Sequence, residues 1–330
     1  MGRNGRVLTT ASFTLMLLLS LLGTRGHAAG QLPYPASLLE DLTAGDPAVR
    51  LTAVQAIKPY RETTSLVTLL RIAEKDPVPE IRLQAVGAIW IRGEKSAARI
   101  VERILVMDND PRIKHAAAGA LGDIGDPSST SYLLGTLSSS KDQYLAAQCI
   151  RSIGRLQDIS AASYLLDYLR PGNPELIRGV TAGALGRLQS ANAVGPLIEV
   201  LENDRDATVR SIAASALANF NRTDVRESLL NGLLFDSSEI VRFRSAEALA
   251  PFSFNRDVKQ AYLAGLRDPD KRVRYVSLRS LSPSIAEDDI PIVADLLKDE
   301  FRGIRELAHQ VLSRKGVVLE RIGDRYRVVD

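Results

Sequence analysis

The stretch from Asp108 to Gly122, Asp-Asn-Asp-Pro-Arg-Ile-Lys-His-Ala-Ala-Ala-Gly-Ala-Leu-Gly, holds the pattern that decides the fold. Its Ile113-Lys114 pair returns in register as Val49-Arg50, Ile81-Arg82, Ile177-Arg178, Val209-Arg210, Val241-Arg242, Val273-Arg274 and Ile304-Arg305. The step is 32 residues, 31 at the last return, and Leu145-Ala146 fills the one place without a basic residue. Nine tandem units result. A fixed period of this size marks a stacked-repeat solenoid, in which each unit buries its apolar face against its neighbours and the long surface usually binds macromolecules.

With the basic residue as position zero, apolar or small side chains stand at −1, +3, +6 and +7, as in Ile113, Ala117, Ala120 and Leu121. That spacing is the buried stripe of an amphipathic helix. The +3 and +6 columns are almost all Ala, Ser, Thr or Cys, which lets neighbouring helices approach closely. Asp46-Pro47 and Asp110-Pro111 supply an N-cap followed by proline in the first turn. Gly122, Gly154 and Gly186 suit helix C-termini. A second amphipathic segment precedes each such helix, for example residues 97–106, 161–169 and 193–201. Each repeat is therefore a helix A, a turn and a helix B, and the chain reads as an all-α solenoid over residues 30–315. Residues 316–330 form a C-terminal cap or tail, in which segments 317–322 and 325–329 flank Gly323-Asp324 as a short β-hairpin.

A cation about one turn from a helix N-terminus meets the unfavourable end of the helix dipole and needs a partner. Carboxylates recur at two offsets: Asp46, Asp110, Asp206 and Asp270 four residues before the basic residue, and Asp76, Asp108, Asp204, Asp236 and Asp268 six before. These predict caps and a ladder of ion pairs along Arg50, Arg82, Lys114, Arg178, Arg210, Arg242, Arg274 and Arg305, within or between repeats. A basic stripe for an acidic ligand is the alternative. Ala146 lacks a cation, so the fourth repeat is expected to change the local curvature or form a soft joint.

The order Asp, Val-Arg, Ala, Ala-Leu-Gly, as in Asp108 to Gly122 and, with Asn at its head, Asn173 to Gly186, resembles the HEAT-repeat superfamily. It resembles in particular the short HEAT-like repeats also found in phycobilisome lyases, and the resemblance spans about residues 35–315. It implies a right-handed superhelix whose B helices line the concave face. Lyase activity is not implied, because many non-enzymes share the repeat.

Arg3 and Arg6 precede an apolar run from Ala11 to Leu22, and small residues follow at Gly26, Ala28 and Ala29. This is the pattern of a secretory signal peptide over residues 1–29, cleaved after Ala28 or Ala29, with retention as an anchor the alternative. Without Arg3, Arg6 and Arg25 the 42 basic residues fall to 39, equal to the 39 acidic ones. A neutral, exported chain argues against nucleic-acid binding, which needs a cationic surface, and places the protein in the periplasm or outside the cell.

Catalytic signals are absent. His115 and His309, the two histidines after residue 29, lie in the third and ninth repeats, and neither His-Glu metal pairs, a nucleophile elbow nor a Gly-rich phosphate loop occurs. Cys149 occupies the small-residue +3 column and reads as core. No catalytic residue, metal or cofactor is expected. Binding residues are sought instead in the +1 and +5 columns, which point away from the buried stripe of helix B. They hold small residues through the middle repeats, with His115 and Arg151 as exceptions, and then Phe243 and Tyr275 with Glu247 and Arg279. Aromatics flanked by Arg favour an interface anchor for a protein partner in repeats six to eight, with Phe254 in the adjoining turn as a further candidate. Both rings folding against the next repeat is the other reading. The excess of Arg267, Lys271, Arg272, Arg274 and Arg279 over Asp268 and Asp270 offers a second class of partner, an envelope glycan or other polyanion. A lyase-like enzyme is a third possibility. Trp90 stands where several repeats have Gly, and covers the N-terminal end of the stack or anchors a ligand.

Overall fold

The computed structural model describes residues 35–330 except Ser253, Asp324 and Asp330; the signal segment at residues 1–29 lies outside the described residues. Eighteen α-helices follow in nine A–B pairs: α1 Ala36–Asp41 with α2 Pro47–Ala56, α3 Thr63–Lys75 with α4 Pro79–Arg92, and α5 Ala98–Met107 with α6 Pro111–Ile124. The middle of the stack has α7 Thr130–Ser139 with α8 Gln143–Leu156, α9 Ala162–Leu165 with α10 Glu175–Leu188, and α11 Val194–Asn203 with α12 Ala207–Leu217. It closes with α13 Thr223–Phe235 and α14 Glu239–Ala248, α15 Arg256–Gly265 and α16 Lys271–Leu281, and α17 Ile290–Asp295 and α18 Arg302–Arg314. The chain is an α-solenoid. Two antiparallel strands follow, β1 Leu319–Ile322 and β2 Arg325–Val328, joined at Gly323, whose φ of 64° is left-handed. Tyr326 of β2 lies against His309 of α18, ring centroids 4.1 Å apart, so the hairpin seats on the last helix.

The column pattern becomes one continuous core. Ile113, Ala117, Ala120 and Leu121 are fully buried, as are Val101 and Leu105 on the A helix before them. Each buried Leu, Ile or Val contributes roughly 1.5–3 kcal/mol. Successive B helices meet along a seam of small side chains. Gly122, Gly154 and Gly186 lie inside helices, not at their ends. A Cβ added to them would stand 2.8, 2.9 and 2.8 Å from the Cα atoms of Ser152, Ala184 and Ala216 on the following B helix. Glycine is there for backbone contact. The helices end three residues later, with left-handed Gly125, Gln157 and Gln189.

The ion-pair ladder has a fixed grammar. The arginine of one repeat grips the Asp 26 residues ahead, with Nε and Nη2 on the two carboxylate oxygens: Arg50 with Asp76, Arg82 with Asp108, Arg178 with Asp204, Arg210 with Asp236 and Arg242 with Asp268. Arg274 does the same to Asp299, 25 residues ahead. Nη1 donates backwards, usually to the backbone carbonyl of the preceding rung's own Asp, as Arg82 does to Asp76 and Arg210 to Asp204. The same carboxylates accept the amide two residues on, from Val78, Asp110 or Asp206. Burial, the largest single effect, would raise the carboxyls of Asp76, Asp108 and Asp204, but the guanidinium hydrogen bonds, the backbone amide bonds and the arginine charges together outweigh it and hold them below the usual range.

Two expectations about the ladder are corrected. Asp46, Asp110, Asp206 and Asp270 are not rungs, because four residues before the cation their side chains fold onto the helix's own first amides, those of Ala48, Arg112, Val209 and Arg272. Lys114 is not a rung either: Ser140 stands where its Asp would be, and its ammonium donates to the Val106 carbonyl at 2.9 Å. With Ala146 facing Gly172, two consecutive rungs are missing, between repeats three and four and between four and five. In this interval helix A of the fifth repeat keeps only Ala162–Leu165 as α-helix and tightens to a 3-10 turn over Leu166–Leu169. Arg305 closes the ladder by donating to the carbonyls of Asp299 and Glu300.

Candidate binding face

The +1 column does not form an open floor. Ala147, Gly179 and Ser211 are buried, and an added Cβ at Gly179 would meet the Ile212 side chain of the next B helix at 3.2 Å. Close packing of successive B helices turns +1 into a seam position. Only a long side chain at +1 climbs out of that seam. Phe243 does so partly: it is half-buried, with the Arg244 guanidinium carbon 5.2 Å from its ring centroid and that of Arg272, on the next B helix, at 5.5 Å. Tyr275, one repeat on, is 37% exposed and is not stacked on Phe243. Next in line, Phe301 is 40% exposed with the Lys271 ammonium 4.7 Å above its ring.

Repeats seven to nine thus carry a strip in which aromatic rings alternate with cations. Each such contact contributes about 0.5–1 kcal/mol at an exposed site and, more usefully, holds a flat ring and a guanidinium ready for a partner. The carboxylates nearby are engaged. Glu247 accepts from Arg244 Nη1 at 2.8 Å, and Asp270 from Arg272 Nε at 3.0 Å. These bonds raise the Arg272 guanidinium and lower the Asp270 carboxyl, Arg272–Asp270 hydrogen bonding leading in both. Arg279 stays exposed at the far end of α16.

The remaining sequence candidates fall elsewhere. Phe254, 40% exposed, stacks at 6.3 Å on buried Tyr262, whose hydroxyl donates to the Ala246 carbonyl, so it belongs to a turn beyond α14. His115 and Arg151 are half-buried in repeats three and four, well removed along the stack. Arg244, Lys271 and Phe301 complete the strip, yet Arg244 and Phe301 lie outside the +1 and +5 columns. A basic residue beside an aromatic at +1 was the available signal. Of the basic excess near repeat eight, Arg274 is spent on Asp299 and Arg272 on Asp270.

Trp90 fills the seam between repeats two and three. Its ring lies where a Cβ on Gly119 would come within 2.5 Å, and its Nε1 donates to Asp123, which also accepts from Arg155 at 2.9 Å. Cys149 is completely buried in α8, and burial pushes its thiol up to about 12. Among the described residues no group of three or more His, Cys, Asp and Glu side chains is placed to hold a metal ion, and no helix is long and apolar enough to cross a membrane.

Comparison with known proteins agrees with this architecture. The profile for HEAT repeats matches residues 35–121, 66–154, 104–186, 130–218, 194–262 and 226–313. None of the curated proteins searched matches the sequence. Among solved structures, the fold is similar to Escherichia coli YibA (18% identity, 82% of this chain and 98% of that one, TM-score 0.53). It is also similar to Kap95p, whose structure was solved with RanGDP (16% identity, 84% of this chain and 45% of that one, TM-score 0.55). The CpcE–CpcF phycocyanin lyase complex of Nostoc sp. PCC7120 aligns at 16% identity over 72% of this chain and 96% of that one, with a TM-score of 0.43. With overlapping matches running from residue 35 to residue 313, the chain belongs to the HEAT-repeat family.

Proposed function

We propose that this protein is a non-enzymatic scaffold of the cell envelope that captures a protein partner on the B-helix face of repeats seven to nine. The observation that carries the reading is the pair of ring–cation contacts, Phe243 with Arg244 and Arg272 and Phe301 with Lys271, with exposed Tyr275 four residues beyond Lys271 on α16. Exposed rings with fixed guanidiniums are costly to leave in water and are the residue types that dominate protein interfaces. Kap95p, a fold neighbour, was solved bound to RanGDP, which supports protein binding as a use of this architecture. Export is supported by the basic-then-apolar N-terminus with its small-residue cleavage site.

The test places a photo-crosslinking amino acid at Tyr275 and, as a control, at exposed Val67 on an A helix, in cells expressing the full chain. A discrete cross-linked protein at Tyr275, lost with Phe243→Ala and absent at Val67, is expected. The same products from both positions, or none from Tyr275, would remove the face from consideration.

A further inference from the structure

At the missing rung between repeats three and four the molecule keeps the cation and drops its carboxylate. A groove of about 430 Å³ opens there, lined by Leu105, Val106, Lys114, Tyr132, Thr136 and Ser139. The equivalent groove between repeats six and seven has the same volume but is lined by Arg210 and its partner Asp236. Six other steps of the ladder hold their cation with a bidentate carboxylate at 2.6–3.1 Å, so the fold itself displays what this position recognises. The backbone is already in the receiving conformation. Ser140 has φ −78° and ψ 133°, against −63° and 132° at Asp76 and −66° and 134° at Asp204, and its hydroxyl accepts the Asp142 amide as those Asp residues accept theirs. Among the described residues no carboxylate lies within ion-pair distance of Lys114, and its hydrogen bond to the Val106 carbonyl leaves donors to spare.

The groove's surroundings are those of a peptide site. The hydroxyls of exposed Ser131 and Ser139 donate to the Ser128 and Gly135 carbonyls and keep lone pairs to accept a docked amide, while Tyr132 at 44%, Val106 at 47% and Met107 at 71% exposure give apolar footing on either side. We infer that an acidic segment of a partner protein docks in this groove, one Asp or Glu carboxylate taking the vacant rung against Lys114. The site lies three repeats away along the stack from the aromatic strip and stands or falls independently of it.

The test uses a fluorescein-labelled oligoglutamate peptide, its anisotropy followed against the full chain at low ionic strength. Binding is expected to weaken roughly tenfold in Lys114→Gln, as for loss of one charge-assisted hydrogen bond. Ser140→Asp, which supplies the rung from within, is expected to weaken it similarly while raising Tm, a change that mere damage to the fold does not produce. Arg187→Gln, at an exposed position of α10, is expected to leave the affinity unchanged. No binding by the wild type, wild-type affinity in Lys114→Gln, or wild-type affinity in Ser140→Asp would each overturn the assignment. Free glutarate competing as well as the peptide would mark a small-anion site and overturn the peptide as occupant.

Discussion

Repeats five to eight and repeats three to five are built from the same helix pair but are fastened differently. In the first group each arginine reaches a carboxylate on the next repeat, and Arg178 is fully buried in doing so. In the second, two rungs are missing, and there the B helices touch backbone to backbone through Gly122 on Ser152 and Gly154 on Ala184. An exposed pair, Arg155 with Asp123, links these repeats at the opposite end of their helices, a contact that contributes only about 0–1 kcal/mol. Charge pairing and close glycine packing are thus alternative ways to fasten one repeat to the next. Only at the step from repeat five to six, with Gly186 on Ala216 and Arg178 on Asp204, do both operate.

The difference is open to direct attack. Asp204→Ala strands a buried guanidinium and should cost about 3–5 kcal/mol, read as a lowered urea midpoint at unchanged slope. An effect no larger than that of an exposed pair would show that the rung is ornamental. Gly154→Val wedges a side chain into the α8–α10 seam and should cost roughly 1–3 kcal/mol; a neutral result would mean the backbones can part without loss.

Acid separates rung-fastened steps of the stack from the glycine-packed ones without mutation. The carboxyls of Asp76, Asp108 and Asp204 lie below their unfolded values, so the stability they confer is complete above the ordinary carboxylate range. It is lost as pH falls through about 4 and onward to their folded values. Hydrogen exchange should therefore accelerate at the turns holding these Asp residues before it does in the α6–α8 seam, which has no rung to protonate. Simultaneous acceleration would refute the division. The smallest effect expected is a gain: Gln157 and Gln189 hold left-handed φ values of 56° and 52° where repeat three uses Gly125, and replacing either with Gly should stabilise by about 1 kcal/mol, seen as a rise in Tm.

How far the sequence carried follows from what repetition reveals. Eight copies of one pair, Ile or Val before Arg or Lys, fix the period, the buried stripe and the helix order, because these are properties of a single helix and its neighbours in sequence. Positions decided by a second helix were harder to read. Ala147, Gly179 and Ser211 face outward on a helical wheel and are buried because the next B helix arrives there. Gly122 looked like a stop and proved to be a contact surface. The rung partner, 26 residues ahead, competed with nearer Asp residues that capping had already claimed. In the candidate strip, Phe243 and Tyr275 were legible as exceptions within a column and Arg244 as the basic residue beside one of them, whereas Phe301 joins only through proximity between repeats.

The ladder also bears on how such a chain can change length. Every rung before the last runs from the donor of one unit to the acceptor of the next at an offset of 26 residues, so excision of residues 211–242 would bring Asp268 into the place of Asp236 as seen from Arg210. Duplication of the same segment would preserve the order equally well. Within the intact stretch the chain is editable in whole units without rewriting any rung, while a cut inside repeats three to five would have to carry its own fastening with it.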